Sequence, residues 1–176
     1  YIHLDTLLSL QSTETSFPDE KVFILYHQIT ELYFRMVILE LEQISNRPEI
    51  DATFFIERIN RIIRYFQNLV NSFDIMVVGM EKEQFLKFRM ALLPASGFQS
   101  AQYRLIEIGS TDMINLVGVE DRDKLQGSDL NAMPEKLYWR SGATELASGK
   151  KTLTLQQFEA KYMNTFYDAG VKYKHK

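Results

Sequence analysis

Between positions 22 and 41 apolar side chains fall on nearly every face a helix could offer. Val22, Phe23, Leu25, Tyr26, Ile29, Leu32, Phe34, Val37, Ile38 and Leu41 are interrupted only by single polar residues such as His27, Gln28, Glu31, Arg35 and Glu40. A helix apolar almost all round predicts a position in the middle of a bundle. Its start is marked by Ser16-Phe17-Pro18-Asp19-Glu20, which offers a hydroxyl cap, a first-turn proline and two carboxylates at the positive helix end. Asn46-Arg47-Pro48 stops it near residue 45.

A second helix is expected over about 51–78, where Phe55, Ile59, Ile62, Phe66, Leu69 and Phe73 recur at three- and four-residue steps. Gly79 ends it. The aromatic residues Phe54, Phe55, Tyr65, Phe66 and Phe73 are read as core, and Arg58, Arg61 and Arg64 as a solvated face. A third helix covers about 82–92 ahead of Pro94, with Ser96-Gly97 as the turn, and a fourth covers about 98–108. Short connections make an antiparallel bundle the expected arrangement. After Gly109 the period weakens, and residues 117–123 and 127–129 read as loop. Residues 152–156 suit a short strand or the start of a helix equally. A last amphipathic helix, about 154–169, carries Phe158, Tyr162 and Phe166, and the basic tail from Val171 should fray. The fold class expected is therefore all-α: one helical domain over 1–176, with an N-terminal segment 1–15, core helices in 16–108, and an irregular region plus the last helix in 109–176.

Composition narrows this little. The 176 residues are 45% hydrophobic and 24% charged, as in ordinary globular chains, and a net charge of -3 favours neither nucleic acid nor an anionic membrane as partner. With no Cys there is no thiolate metal site, disulfide or Cys nucleophile, which fits a cytoplasmic location. No uninterrupted apolar run reaches the length of a membrane span. The first residue is Tyr1 rather than Met, which suggests a trimmed N-terminus.

Two blocks carry candidate chemistry. On a helix, Phe23, His27, Thr30/Glu31 and Phe34 share one face, so an imidazole and a phenyl ring can project into one space. A neutral imidazole accepts a hydrogen bond or takes a proton; a structural His paired with Glu31 explains the same residues. Phe85-x3-Arg89 repeats the aromatic-to-charge step, and a planar guanidinium suits a carboxylate, although an Arg at a helix C-terminus is also favoured by the dipole. Ser96-Gly97-Phe98 could present backbone N–H groups to an anion, or simply cap the next helix. Glu31, Glu40 and Glu42 lack the Glu-x-x-His partners of a di-iron bundle. No phosphate loop, His-x3-His pair or nucleophile elbow occurs in the sequence.

These blocks resemble the tryptophan 2,3-dioxygenase family of haem-dependent, all-helical enzymes. Its Phe-x3-His-Gln-x2-Glu-Leu-Trp-Phe pattern stands here as Phe23-x3-His27-Gln28-x2-Glu31-Leu32-Tyr33-Phe34. Its Phe-Arg block and Pro-Ala-Ser-Gly string stand as Phe88-Arg89 and Pro94-Ala95-Ser96-Gly97-Phe98-Gln99-Ser100-x-Gln102-Tyr103-Arg104. Tyr1-Ile2-His3-Leu4-Asp5-Thr6-Leu7-Leu8 is similar to the N-terminal segment of the family. The matches cover about residues 1–108.

The resemblance implies cleavage of the indole C2–C3 bond of L-tryptophan by O2 on ferrous haem b, giving N-formylkynurenine, the first step of the kynurenine pathway. It makes His27 the residue that accepts the indole N–H hydrogen bond, Phe23 the ring packed on indole and haem, Arg89 the partner of the substrate carboxylate, and Phe85 part of the same wall. Ser96 and Gly97 would lie beside the haem. Tyr1 and Ile2 would be lent to a neighbouring subunit, which implies a homotetramer. A buried Arg89 without its carboxylate partner would cost about 3–5 kcal/mol, a source of selectivity. The departures are Tyr33 for Trp, Lys87 for Asp, and no Gly-Thr-Gly-Gly loop. The three histidines, His3, His27 and His175, supply no proximal haem ligand at the family's place, so no metal ligand is assigned and a longer enzyme is expected. A related oxygenase for another aromatic amino acid or indole, or a non-catalytic helical module, are the alternatives.

Overall fold

The computed structural model describes residues 1–91, 100–143 and 151–174. Their regular structure is helical, with α1 (Leu4–Leu7), α2 (Pro18–Ser45), α3 (Ala52–Ser72), α4 (Asp74–Val77), α5 (Lys82–Ala91), α6 (Ala101–Ser110), α7 (Val119–Leu125) and α8 (Leu153–Tyr173). Short 3-10 turns join α6 to α7 and lie between α7 and α8. One isolated antiparallel bridge, Val117 to Leu137, is the only β pairing between described residues. The chain is all-α.

Helix α2 organises the rest. It begins at Pro18, but its cap is Phe17 and no side chain caps it, so the Ser16 cap expected from the sequence does not form. The second acidic residue, Glu20, turns instead toward the preceding segment and accepts from the backbone N–H groups of Glu14 (2.7 Å) and Thr15 (2.8 Å) and from the Thr15 hydroxyl. A carboxylate can satisfy donors on either side of a helix start, and here the loop offers three. Asp51 caps α3 as a side-chain acceptor for Phe54 N–H, and Thr152 does so for Leu155 N–H at α8. The ambiguous 152–156 stretch is therefore a helix start.

The register of contacts gives the topology. Tyr26 meets Ser72, Phe34 meets Phe66, and Glu40 meets Arg58, so α2 and α3 are antiparallel. Along α2 in the other sense, Asp19 accepts from Glu81 N–H and Phe23 packs on Phe85 and Phe88, while Glu31 meets Gln102 and Phe34 meets Tyr103. Helices α5 and α6 thus both run parallel to α2, over its first and second halves. The simple antiparallel bundle expected from four helices is corrected on this point. Helices α5 and α6 travel in one direction, because each has its own apolar partner on α2.

Other expectations change with the packing. The second helix ends at Ser72, with a separate turn at Asp74–Val77, and α6 starts at Ala101 rather than near 98. Of residues 117–123, read as loop, those from Val119 on belong to α7, whose Glu120 and Asp121 open the helix and Arg122 and Lys124 close it, as the dipole favours. Helix α8 runs on to Tyr173, past the expected fraying point, because Ala169 and Gly170 are buried against Met113 and Leu130. Phe55 and Phe73 are exposed rather than core. Arg58 and Arg61 are not a free solvated face. They reach Glu40, which is 2% exposed, at 3.3 and 2.9 Å, and Tyr65 adds its hydroxyl to the same carboxylate at 3.1 Å.

Two apolar clusters hold the elements. Val37, Ile38 and Ile106 join α2, α3 and α6, and a larger cluster packs α6 and α8 around Trp139, whose ring meets Phe158 and Phe166 edge-on. Between them Arg104 is buried, pairs with Glu107 at 2.7 Å and donates to the Tyr138 hydroxyl at 3.0 Å. Burial, then the bond to Glu107, holds the Tyr138 phenol above its ordinary pKa. Among the described residues, α2 alone is long and apolar enough to cross a membrane, yet its polar residues Gln28, Glu31 and Glu40 all take protein partners. Part of α2 is nonetheless bare, with Val22, Ile29, Leu32 and Leu39 exposed, so it is not enclosed as its all-round apolar surface led us to expect.

Candidate active site

Helix α2 places Phe23 and His27 one turn apart, and the helix spacing alone brings their rings into contact. The centroids are 4.1 Å apart with an interplanar angle of 34°. His27 Nδ1 lies 2.8 Å from the carbonyl oxygen of Phe23. A carbonyl can only accept, so Nδ1 carries the hydrogen, and in the neutral ring Nε2 is left with an acceptor lone pair. No described residue hydrogen-bonds to Nε2. The expected alternative, a His buried and paired with Glu31, is not what forms: His27 is exposed, and Glu31 instead receives Gln102.

The Asp19–Glu81 bond sets the start of α5 beside the start of α2, and the aromatic rings follow. Phe88, 0% exposed, lies 5.5 Å edge-on from Phe23 and 5.5 Å from Phe85, and Phe85 lies 6.1 Å from Phe23. The Arg89 guanidinium stands 5.9 Å over the Phe85 ring. His27, Phe23, Phe85 and Arg89 therefore form a continuous run of contacts from one helix to the next. Arg89 itself is exposed, so the desolvation cost expected of a buried guanidinium does not apply to it in this state.

A hollow of about 560 Å³ opens along α2 beside this run. Phe23, Ile24, His27 and Leu32 line it from α2, Gln102 lines it from α6, and Leu7 and Leu10 line it from the N-terminal segment. Its walls are almost wholly apolar, with single polar groups at His27, Gln28, Glu31 and Arg35, the pattern of sites for flat apolar ligands. Phe85 and Arg89 reach it only through Phe23. Residues 1–129 of the chain match the family described as tryptophan 2,3-dioxygenase.

The chain belongs to the tryptophan 2,3-dioxygenase family. It is 37% identical over 108 residues to a tryptophan 2,3-dioxygenase of Ruegeria sp. (strain TM1040), covering 61% of this chain and 38% of that one. It is 39% identical over 118 residues to that of Aedes aegypti, covering 61% of this chain and 30% of the relative. With tryptophan 2,3-dioxygenase 2 of Ralstonia nicotianae it shares 33% identity over 159 residues, 84% of this chain and 41% of the relative. The chain thus spans roughly a third to two fifths of the length of the curated relatives it matches, 30–41%.

For this tryptophan 2,3-dioxygenase family member, the site residues expected from the sequence distribute as follows. Phe23, His27 and Phe85 are in one group, with Arg89 stacked at its edge. Tyr1 is fully exposed and Ile2 is 69% exposed, and neither lines the hollow. Ser96 and Gly97 lie outside the described residues, as does His175. Sequence reasoning missed Phe88, Gln102, Leu7 and Leu10. Phe88 and Gln102 stood inside the matched motifs, one beside Arg89 and one in the Gln-x2-Gln step, but only the fold shows that Phe88 seats Phe23 and that Gln102 bonds both the backbone and the carboxylate of Glu31, at 2.8 and 2.9 Å.

The fit to a haem, which the family implies, can be judged on one side. An open, apolar wall with one imidazole nitrogen left unengaged suits the substrate-facing side of a flat macrocycle. The described residues hold no histidine beyond His3, exposed beside α1, and His27, and no group of three His, Cys, Asp or Glu that could hold a metal ion. Among the described residues, the side chains at this hollow fit the face such a group would turn toward a ligand.

Proposed function

We propose that the protein is the substrate-binding part of a haem-dependent tryptophan 2,3-dioxygenase, which opens the indole C2–C3 bond of L-tryptophan with both atoms of O2 to give N-formylkynurenine. Haem b, when bound, supplies O2 binding and activation. The residues of this chain orient the amino acid and exclude water. His27 Nε2 accepts the indole N–H, an interaction that its Nδ1–H bond to Phe23 makes available. Phe23, held by Phe88 and Phe85, packs on the flat indole. Arg89 pairs with the α-carboxylate. Substrate burial would take both charges from water together, which is where a guanidinium fork is worth most.

The observation that carries this reading is the His27–Phe23–Phe85–Arg89 run beside an apolar hollow: acceptor, ring and cation in the order that an indole N–H, its ring and a carboxylate present them. The family of the chain supports the substrate. The same proposal places Ser96 and Gly97 beside the haem, the protein in the cytoplasm, and four copies in the working enzyme, with Tyr1 and Ile2 of one subunit reaching the site of the next. The bare Tyr1, Ile2, Leu32 and Leu39, together with Ile56, Ile63 and Val70 at seven-residue steps on α3, favour such an assembly.

The test is turnover by the full-length, haem-loaded protein. Equimolar consumption of O2 and L-tryptophan with appearance of N-formylkynurenine supports the proposal. Haem binding with turnover only of another aromatic amino acid would shift it to a related oxygenase, and failure to bind haem would favour a non-catalytic module.

A further inference from the structure

We propose that Glu20 is a positioning residue: its carboxylate fixes the N-terminal segment whose Leu7 and Leu10 line the hollow together with His27, and through that segment sets the affinity for substrate. The inference rests on the reading that this hollow takes L-tryptophan.

Glu20 is 0% exposed and occupies the first turn of α2. An acidic residue there ordinarily serves its own helix. In this chain one oxygen accepts from Glu14 N–H and the other from Thr15 N–H and the Thr15 hydroxyl. Thr15 in turn receives Phe17 N–H on its hydroxyl oxygen at 3.3 Å, closing the turn into α2. Four residues upstream the segment is tied again: Gln11 donates to the Gln28 side chain at 2.7 Å, and Gln28 donates to the Leu10 carbonyl at 3.2 Å.

Apolar burial does not hold this segment. Leu4, Leu7, Leu8 and Leu10 all remain exposed, and every residue from 1 to 10 is exposed. The polar ties therefore decide where it lies. Of the two, the Gln28 tie joins neutral amides, one of them at an exposed site, whereas the Glu20 tie uses a charged acceptor out of water, the stronger kind. What they position matters to the site, because Leu7 and Leu10 line the same hollow as Phe23, Ile24 and His27. Gln28 is the residue after His27. Tyr1 and Ile2, proposed above to reach a neighbouring subunit, lie upstream of this anchored stretch, so the same carboxylate bears on the point from which they leave.

The experiment compares full-length, haem-loaded wild type with Glu20→Gln, Glu20→Asp and Thr15→Val, reading amide hydrogen exchange of residues 9–17 and steady-state kinetics with L-tryptophan. Glu20→Gln should speed exchange at Glu14 and Thr15 by about tenfold, the loss of a charge-assisted bond, and raise KM by roughly the same factor. It should leave kcat within about twofold and the haem spectrum unchanged. Thr15→Val, which leaves the helix intact, should give an intermediate effect, and Glu20→Asp should recover part of the wild-type KM. A purely structural role would lower stability or holoprotein yield without a selective rise in KM. Unchanged exchange in Glu20→Gln overturns the anchor, and faster exchange with unchanged KM overturns its link to the site. If the wild type binds no tryptophan, the dioxygenase reading fails, and the exchange at Glu14 and Thr15 still decides whether Glu20 anchors the segment.

Discussion

The imidazole of His27 rests on the ring of Phe23 at 4.1 Å while its Nδ1 donates to the carbonyl of that same residue at 2.8 Å. One neighbour thus fixes both the plane of the ring and its tautomer. The lone pair at Nε2 is the consequence that matters for an indole.

From this follows a prediction with an internal control. His27→Phe keeps the ring stack but removes the acceptor, so kcat/KM for L-tryptophan should fall by about tenfold, the worth of one hydrogen bond of about 1–1.5 kcal/mol. The ratio of kcat/KM between L-tryptophan and its 1-methyl analogue, which has no indole N–H, should shrink by the same factor. An undiminished ratio would mean that His27 does not meet the N–H.

At the other end of the run, Arg89 stacks on Phe85 and is exposed. Arg89→Ala should raise KM for L-tryptophan by roughly 10–100-fold, the range of a charge-assisted bond of about 1.5–3 kcal/mol, with no change in unfolding midpoint. Arg89→Lys should recover only part, because a point charge cannot make the paired bonds of a guanidinium. Indole-3-ethylamine, which lacks the carboxylate, should bind wild type and Arg89→Ala alike by calorimetry.

Stability is placed elsewhere. Glu40 sits under Arg58, Arg61 and the Tyr65 hydroxyl at the far end of α2 from the site. Glu40→Ala removes the buried carboxylate under the mostly buried Arg58, which keeps only Gln43 and the exposed Glu57, and should cost about 1–3 kcal/mol in denaturant unfolding, discounted from a fully buried pair because Arg61 is half exposed. Affinity for L-tryptophan in the folded fraction should stay within about twofold of wild type, since distant sites act independently.

The Glu20 carboxyl carries the acid sensitivity of the N-terminal segment. Burial raises its pKa, but the Thr15 hydroxyl and the backbone N–H groups of Glu14 and Thr15 together outweigh burial and hold it below the ordinary 4.5. A depressed folded-state pKa gives stability that is present above the unfolded value and lost as pH falls through the folded one. Exchange protection of Glu14 and Thr15 should therefore hold from neutral pH down to about 4.5 and decline below it. In Glu20→Gln, protection should already be low at neutral pH and should lack this acid step.

The elements with strong local signals were legible in the chain itself. The Pro18 start and Asn46 end of α2, the Asp51 cap and the Phe158–Tyr162–Phe166 stripe of α8 all follow from spacing and capping chemistry, and the grouping of Phe23 with His27 follows from one helical turn. What escaped depends on partners remote in sequence. The parallel course of α5 and α6 is set by Asp19 meeting Glu81 and Glu31 meeting Gln102, contacts 62 and 71 residues apart. Arg58 and Arg61 look like solvent-facing charges until Glu40 is placed beneath them. Glu20 looks like a helix-dipole residue until the loop before it is seen to supply three donors. In the site, Arg89 was legible as a cation near an aromatic ring, whereas the roles of Phe88, Leu7 and Leu10 required the fold.

The most direct test of the central claim is a crystal structure of the full-length, haem-loaded protein with L-tryptophan bound. The account predicts the indole N–H within hydrogen-bond distance of His27 Nε2, the indole ring against Phe23, and the α-carboxylate on the Arg89 guanidinium. An indole seated away from His27, or a carboxylate held by some other group while Arg89 stays in solvent, would contradict it.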